Sequence, residues 1–131
     1  MSLRDLKSSL SVSQSLVPAA RAATGTGTAV DLQGYGSAMV VVSFGAWTDG
    51  THTPSLQHSA DGTAYTACDT NSLAGSFTAV SGTAGSNTVQ KVGYIGQNRY
   101  VRALMTVASG TTGALSSVNV VAGHPSQRPT T

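Results

Sequence analysis

V-Q-K-V-G-Y-I-G-Q-N-R-Y-V-R-A-L-M-T-V, residues 89–107, decides the fold class. Two apolar runs, 89–95 and 100–107, flank Gly96, Gln97, Asn98 and Arg99. Val, Ile and Tyr suit a pleated, half-buried surface, and Gly and Asn tolerate the positive φ of a tight reversal, so the stretch reads as a β-hairpin. Side chains alternate along a strand. In the second arm Tyr100, Arg102, Leu104 and Thr106 share one face, and Val101, Ala103, Met105 and Val107 share the other. The wholly apolar set belongs to the core. Arg99 and Arg102 fall near the turn and on the more polar face, where they are candidate contacts for a partner. Exposed strand charges also protect sheet edges, which is the plainer role for both.

Composition agrees with strands. Among 131 residues there are 15 Gly, and only 9% are charged. There is no Glu; the acids are Asp5, Asp31, Asp49, Asp61 and Asp69. A helical domain would place Glu and Lys on its wet faces because they favour helix. The expectation is an all-β, two-sheet antiparallel sandwich, of jelly-roll type in preference to an immunoglobulin-like one. The net charge of +2 comes from scattered residues with no basic stripe, so direct nucleic-acid binding is not expected. Cys68 is the only cysteine, which leaves no internal disulfide and no cysteine metal cluster. No apolar run approaches the roughly 20 residues that span a bilayer, and no signal-peptide layout opens the chain. The expectation is a protein made in the cytoplasm, with no membrane partner.

Three regions follow along the chain. Residues 1–27 read as an N-terminal arm, partly extended or helical, in which 8–15 alternates partly (Leu10, Val12, then Leu16-Val17) and could make a first strand ending near Pro18. Leu3, Leu6 and Leu10 fall at helical spacing within it and need an apolar partner surface. Residues 28–125 read as the sandwich. Within it, 37–44 (S-A-M-V-V-V-S-F) is nearly continuous apolar sequence, as expected of a central strand covered on both faces. Residues 45–54 read as a loop carrying Trp47, Asp49-Gly50 and His52, and Asp61-Gly62 as a turn between two strands. Residues 77–80 read as a short strand. Residues 126–131 read as a mobile tail. Val40, Val42, Val101, Met105 and Val120 are the predicted core.

Catalytic patterns are missing. His52, His58 and His124 are the histidines, and none belongs to a G-x-S-x-G or H-E-x-x-H motif. A zinc site would need further ligands from elsewhere in the fold, and the Asp-Gly pairs lack the alternating carboxylates of a calcium loop. No metal, cofactor or enzymatic activity is expected. Trp47 and Tyr35, in or beside loops, suit either interface anchors or a sugar platform, the former being the commoner use. Leu3, Leu6, Leu10, Trp47, His52, Arg99 and Arg102 are the candidate contact residues.

Several phrases of the sequence resemble one family. V-D-L-Q-G-Y at 30–35, T-D-G-T-H-T-P-S-L-Q at 48–57, D-G-T-A-Y at 61–65, V-G-Y-I-G-Q-N-R-Y-V-R at 92–102 and G-H-P at 123–125 resemble small proteins of tailed bacteriophages. These are encoded in the head-structural region, beside the major capsid protein. The likeness spans residues 28–129 and leaves the N-terminal arm uncovered. It implies a virion protein of the capsid decoration, or cement, kind, located on the capsid surface with the major capsid protein as partner. Head–tail joining, tail and carbohydrate-binding roles are the alternatives. A homo-oligomer is expected, and a trimer would match the local three-fold positions of a shell.

Overall fold

Ten strands form two antiparallel sheets in the computed structural model, which describes residues 7–125. Sheet I has the order β1 (Ser11–Arg21), β10 (Ala114–Pro125), β4 (Tyr35–Trp47), β8 (Val89–Tyr94) and β7 (Leu73–Ala74). Sheet II has the order β2 (Gly25–Thr26), β9 (Tyr100–Ala108), β5 (Thr51–Ser59) and β6 (Thr66–Ala67), with β3 (Val30–Asp31) also paired to β9. The expected all-β sandwich is present. Three single 3₁₀ turns, Lys7–Ser9, Thr70–Ser72 and Thr83–Gly85, are the helical elements among the described residues. Leu3, Leu6 and the proposed tail 126–131 lie outside those residues.

The core follows from period-two alternation. Val40, Val42 and Phe44 of β4 and Val118 and Val120 of β10 pack toward Leu56 of β5 and Val101, Ala103 and Met105 of β9. Four of the five predicted core residues are 0% exposed and Val120 is 1%. On β9 the buried set is the one its alternation predicts. Fully burying such a side chain contributes about 1.5–3 kcal/mol, so these two inner faces hold the sheets together.

The hairpin at 89–107 is not formed. β8 pairs with β4 and β7 in sheet I, whereas β9 pairs with β5, β2 and β3 in sheet II. Residues 95–99 therefore arch across the sandwich. Each arm has one apolar face, and an arch brings both faces into the same core from opposite sides. The backbone of the arch is satisfied elsewhere: Ile95 N–H donates to Ser72 O, Asn98 N–H to the Tyr94 hydroxyl, and Arg99 O accepts from Leu32 N–H. Gly96 permits the bend, since a Cβ there would stand 2.6 Å from the Tyr94 hydroxyl.

The arm boundary at residue 27 also needs correction. β1 is a full edge strand of sheet I, paired to β10 from Ser11 to Arg21, and β2 belongs to sheet II. The first strand read from 8–15 is present, and it runs past Pro18 to Arg21 because β10 pairs with it along that length. Pro18 sits where the β1 register shifts between Leu16 and Ala19, a position that tolerates a missing N–H. β4 departs from expectation too. Ala38, Val40, Val42 and Phe44 are buried, but Met39, Val41 and Ser43 between them are only half-buried. Of the short strand expected at 77–80, only Val80 pairs, in an isolated bridge with His52. The Asp-Gly turns form as read, with Gly50 at φ +87° and Gly62 at φ +81°.

Candidate functional site

The outer face of sheet II carries the two arginines. Arg102 lies over the Tyr65 ring, 4.0 Å from its centroid, and its Nε–H donates to Gln57 Oε1 at 2.8 Å. Register explains the second contact, since Gln57 and Arg102 are directly opposed on β5 and β9. Arg99 makes a two-pronged pair with Asp31, at 2.8 and 2.7 Å, and stands 4.9 Å over the Tyr100 ring. That hydrogen-bonded pair holds the Asp31 carboxyl below the usual carboxylate range and raises Arg99. Both cations are thus held rigidly, with their stacking partners, on one face. Tyr65 and Gln57 were not candidates from sequence, because only the β5–β9 register brings them beside Arg102.

Loop carboxylates act as backbone clasps. Asp49 accepts from the N–H groups of Thr111, Thr112 and Gly113, the last at 2.7 Å. Asp61 accepts from Thr63 N–H, Ala64 N–H and the Ser59 hydroxyl, and Asp69 accepts from Ser72 N–H. These donors lower the carboxyl pKa of Asp49 and Asp61. The expected loop 45–54 is consequently a clasped turn between the ends of β4 and β5, with Ala46, Thr48, Thr51 and Thr53 exposed.

Two more candidates are structural. His52 is 0% exposed, so it cannot contact a capsid or sister subunit. It lies in β5 in phase with buried Pro54 and Leu56, and its Nε2–H donates to Asp49 O at 2.9 Å. The alternation H-x-P-x-L carried that signal. Trp47 is half-buried against the core, and its Nε1–H donates to Gly50 O at 2.9 Å, which anchors the same turn. Trp47 and Tyr35 sit at opposite ends of β4, so they form no shared platform. His58 is hydrogen-bonded to the Tyr94 hydroxyl, and His124 to Ser37. Burial pushes the Cys68 thiol up to about 11. Among the described residues no group of three or more His, Cys, Asp or Glu is placed to hold a metal ion.

The outer face of sheet I is different in kind. Cross-strand partners point to the same side of a sheet. One outward row is Val12, Val121, Met39 and Gly93; the next is Gln14, Asn119, Val41 and Lys91; a third is Ser117, Ser43 and Val89. Val12 is 65% exposed, Val89 67%, Val17 59% and Leu115 48%. From strand spacing and rise this face covers roughly 500 Å². Lys91 is its one Lys, Arg, Asp or Glu among the described residues of these rows. Leu10, just before β1, reaches the same side, where its side chain lies against Gly123. Of the sequence candidates, the structure brings Arg99 and Arg102 to one outer face and Leu10 to the other. No protein-family model, curated protein or solved structure matches this chain.

Proposed function

We propose that this chain is a capsid decoration protein of a tailed bacteriophage, a non-enzymatic virion component that binds the outside of the head in many copies. The phrases quoted above from residues 30–125 motivate the virion setting. The outer face of sheet I, where exposed valines stand among polar residues, carries the binding role. A strand apolar on both sides reads as one covered on both sides, and sheet II covers only the inner side of β4. The largest apolar patch of a monomer, commonly ~300–600 Å², is often a functional surface.

Permanent subunit interfaces are the more hydrophobic class, and reversible ones keep polar residues and enrich Arg and Tyr. The sheet I face is therefore assigned to a sister copy. A two-fold dimer would seat it on its own equivalent, and a trimer on a neighbour's flank. The Arg102–Tyr65 stack with Arg99, already held rigid before contact, is assigned to the major capsid protein. Pre-ordered side chains lose little entropy on binding.

The strand order supports a jelly-roll reading of the sandwich. β1-β10-β4-β8 opposite β3-β9-β5-β6 interleaves early and late strands as two Greek keys would. β2 shares the place of β3, and β7 adds a fifth strand to sheet I. Attachment of such units stabilises a shell by linkage, and an oligomer attached at several points leaves slowly even when each contact is weak. The test is stoichiometry on purified heads, with heat release of DNA compared between heads with and without the protein. Copies in proportion to the capsomers, and earlier release without the protein, are expected. A single ring of copies at the tail vertex would replace this reading with a head–tail joining role.

A further inference from the structure

At one end of the sandwich the turn entering β4 and the arch leaving β8 enclose an open cleft of about 570 Å³. That volume lies in the range of small-molecule sites, ~300–1,000 Å³. One wall is the segment 32–38 and the other 94–99. We infer that this cleft binds a neutral, hydroxyl-rich ligand, a saccharide, with Gln33, Gln97 and Asn98 as its hydrogen-bonding residues and Tyr35 as its packing surface.

Lining chemistry selects that class. Gln33, Gln97 and Asn98 line the cleft, Gln33 and Gln97 at exposed positions, and no hydrogen bond of their side-chain amides is found among the described residues. An amide presents donors and an acceptor side by side, and a sugar hydroxyl is both donor and acceptor, so the two sets match. Arg99 lines the cleft, but its charge is met by Asp31 through two hydrogen bonds. A site built for phosphate would leave that cation unpaired. Tyr35, half-buried at the start of β4, offers an aromatic surface with a polar tip, suited to the apolar face and hydroxyl rim of a sugar ring. The frame around these groups is fixed. The Tyr94 hydroxyl accepts from Asn98 N–H and is bonded to His58, while Asp31 accepts from Gln33 N–H. Both sides of the cleft are thus tied down before any ligand arrives, which lowers the ordering cost of binding.

The inference does not rest on the decoration reading: of the cleft residues only Arg99 is assigned there, to the capsid protein, and it is not among the groups given to the sugar. The experiment is an amide-resolved NMR titration of the full chain with glucose, galactose, N-acetylglucosamine, cellotetraose and chitotetraose, and with inorganic phosphate and glucuronate as charged probes. Saturable shifts confined to residues 32–38 and 94–99 are expected for at least one neutral sugar, with Kd on the order of 1 mM for a single ring in so open a site. A tetrasaccharide binding more tightly than its monomer would identify a polymer as the source, and equal affinities a free sugar; both support the site. Asn98→Ala and Gln97→Ala should each weaken binding about tenfold, the effect of one lost hydrogen-bonding group. Should either variant unfold, Asn98→Asp keeps the side-chain size and removes the amide donors, and it should weaken binding by no more than the same tenfold with an unchanged spectrum elsewhere. Neutral sugars that leave both segments unmoved, or phosphate that binds there in preference to every sugar, would overturn the assignment.

Discussion

The two outer faces of this sandwich meet the solvent in different ways. On sheet II each large charged or aromatic group has a local partner: Arg102 has Tyr65 and Gln57, and Arg99 has Asp31 and Tyr100. On sheet I the outward rows mix valine and methionine with serine, Gln14, Asn119 and Lys91, and Val12, Val89, Val17 and Leu115 are left open to water. The first arrangement is partnered within a single chain except at the buried Tyr65 hydroxyl. The second leaves aliphatic side chains open to water, which the proposed sister copy would cover. The lesson concerns continuous apolar strands. In β4 the run Ala38–Val42 supplies a core on one side and, by this account, a subunit contact on the other.

Substitutions on the inner and outer faces separate these roles most sharply. Leu56→Ala and Met105→Ala remove side chains that are 1% and 0% exposed, and each should lower unfolding free energy by about 2–5 kcal/mol in denaturant titration. Val89→Ala, on the outer face of sheet I, should change the unfolding free energy of the dissociated chain by no more than ~0.5 kcal/mol. Comparable losses at Val89 and Leu56 in the dissociated chain would mean that the outer row is already packed within it.

Acid probes the clasps that hold the loops at the sandwich ends. The carboxyls of Asp31, Asp49 and Asp61 lie below the usual range in the folded chain, through Arg99 for the first and backbone N–H donors for the others. Unfolded, they titrate near ~3.9. Their contribution is therefore complete above that value and is lost as pH falls toward the folded pKa values. The thermal midpoint should hold steady from neutral pH to about pH 5 and drop below about pH 4. Asp49→Asn and Asp61→Asn should each lower the neutral midpoint and flatten the acid drop. An unchanged profile would remove the clasps from the account.

Smaller effects belong to the polar face. Arg102→Ala should cost about 0.5–1 kcal/mol, the size of an exposed cation–aromatic contact, and should leave oligomeric state unchanged. Loss of assembly in that variant would exchange the roles given to the two faces. Cys68, with its thiol pushed up to about 11, should be alkylated at pH 8 much more slowly in the native protein than in the unfolded chain. Equal rates would mean that the segment between the sheets opens freely.

Much of this was legible in the residues, and the failures have a common cause. Alternation on β9 placed Val101, Ala103 and Met105 correctly, since that signal is local to one strand. Whether Gly96–Arg99 makes a hairpin or an arch is decided by β4 and β5, each tens of residues away, and no local turn chemistry encodes it. The same non-local pairing decided the extent of β1, whose alternation was readable up to Pro18 and whose last residues become a strand only beside β10. For the candidate sites, His52 was misplaced although its phase with Pro54 and Leu56 was readable. The Tyr65 and Gln57 partners of Arg102 were not readable, because only register supplies them.

The mass of the protein in solution tests the central claim most directly. Light scattering on the eluting peak of the full chain, compared with a Val12→Asp and Val89→Asp double variant, asks whether the outer face of sheet I is a subunit contact. The account predicts an oligomer for the original chain and a folded monomer for the variant, because charges placed in an apolar interface have no partner there. A native chain that runs as a monomer at concentrations well above those used for purification, or a variant that assembles as before, would contradict it.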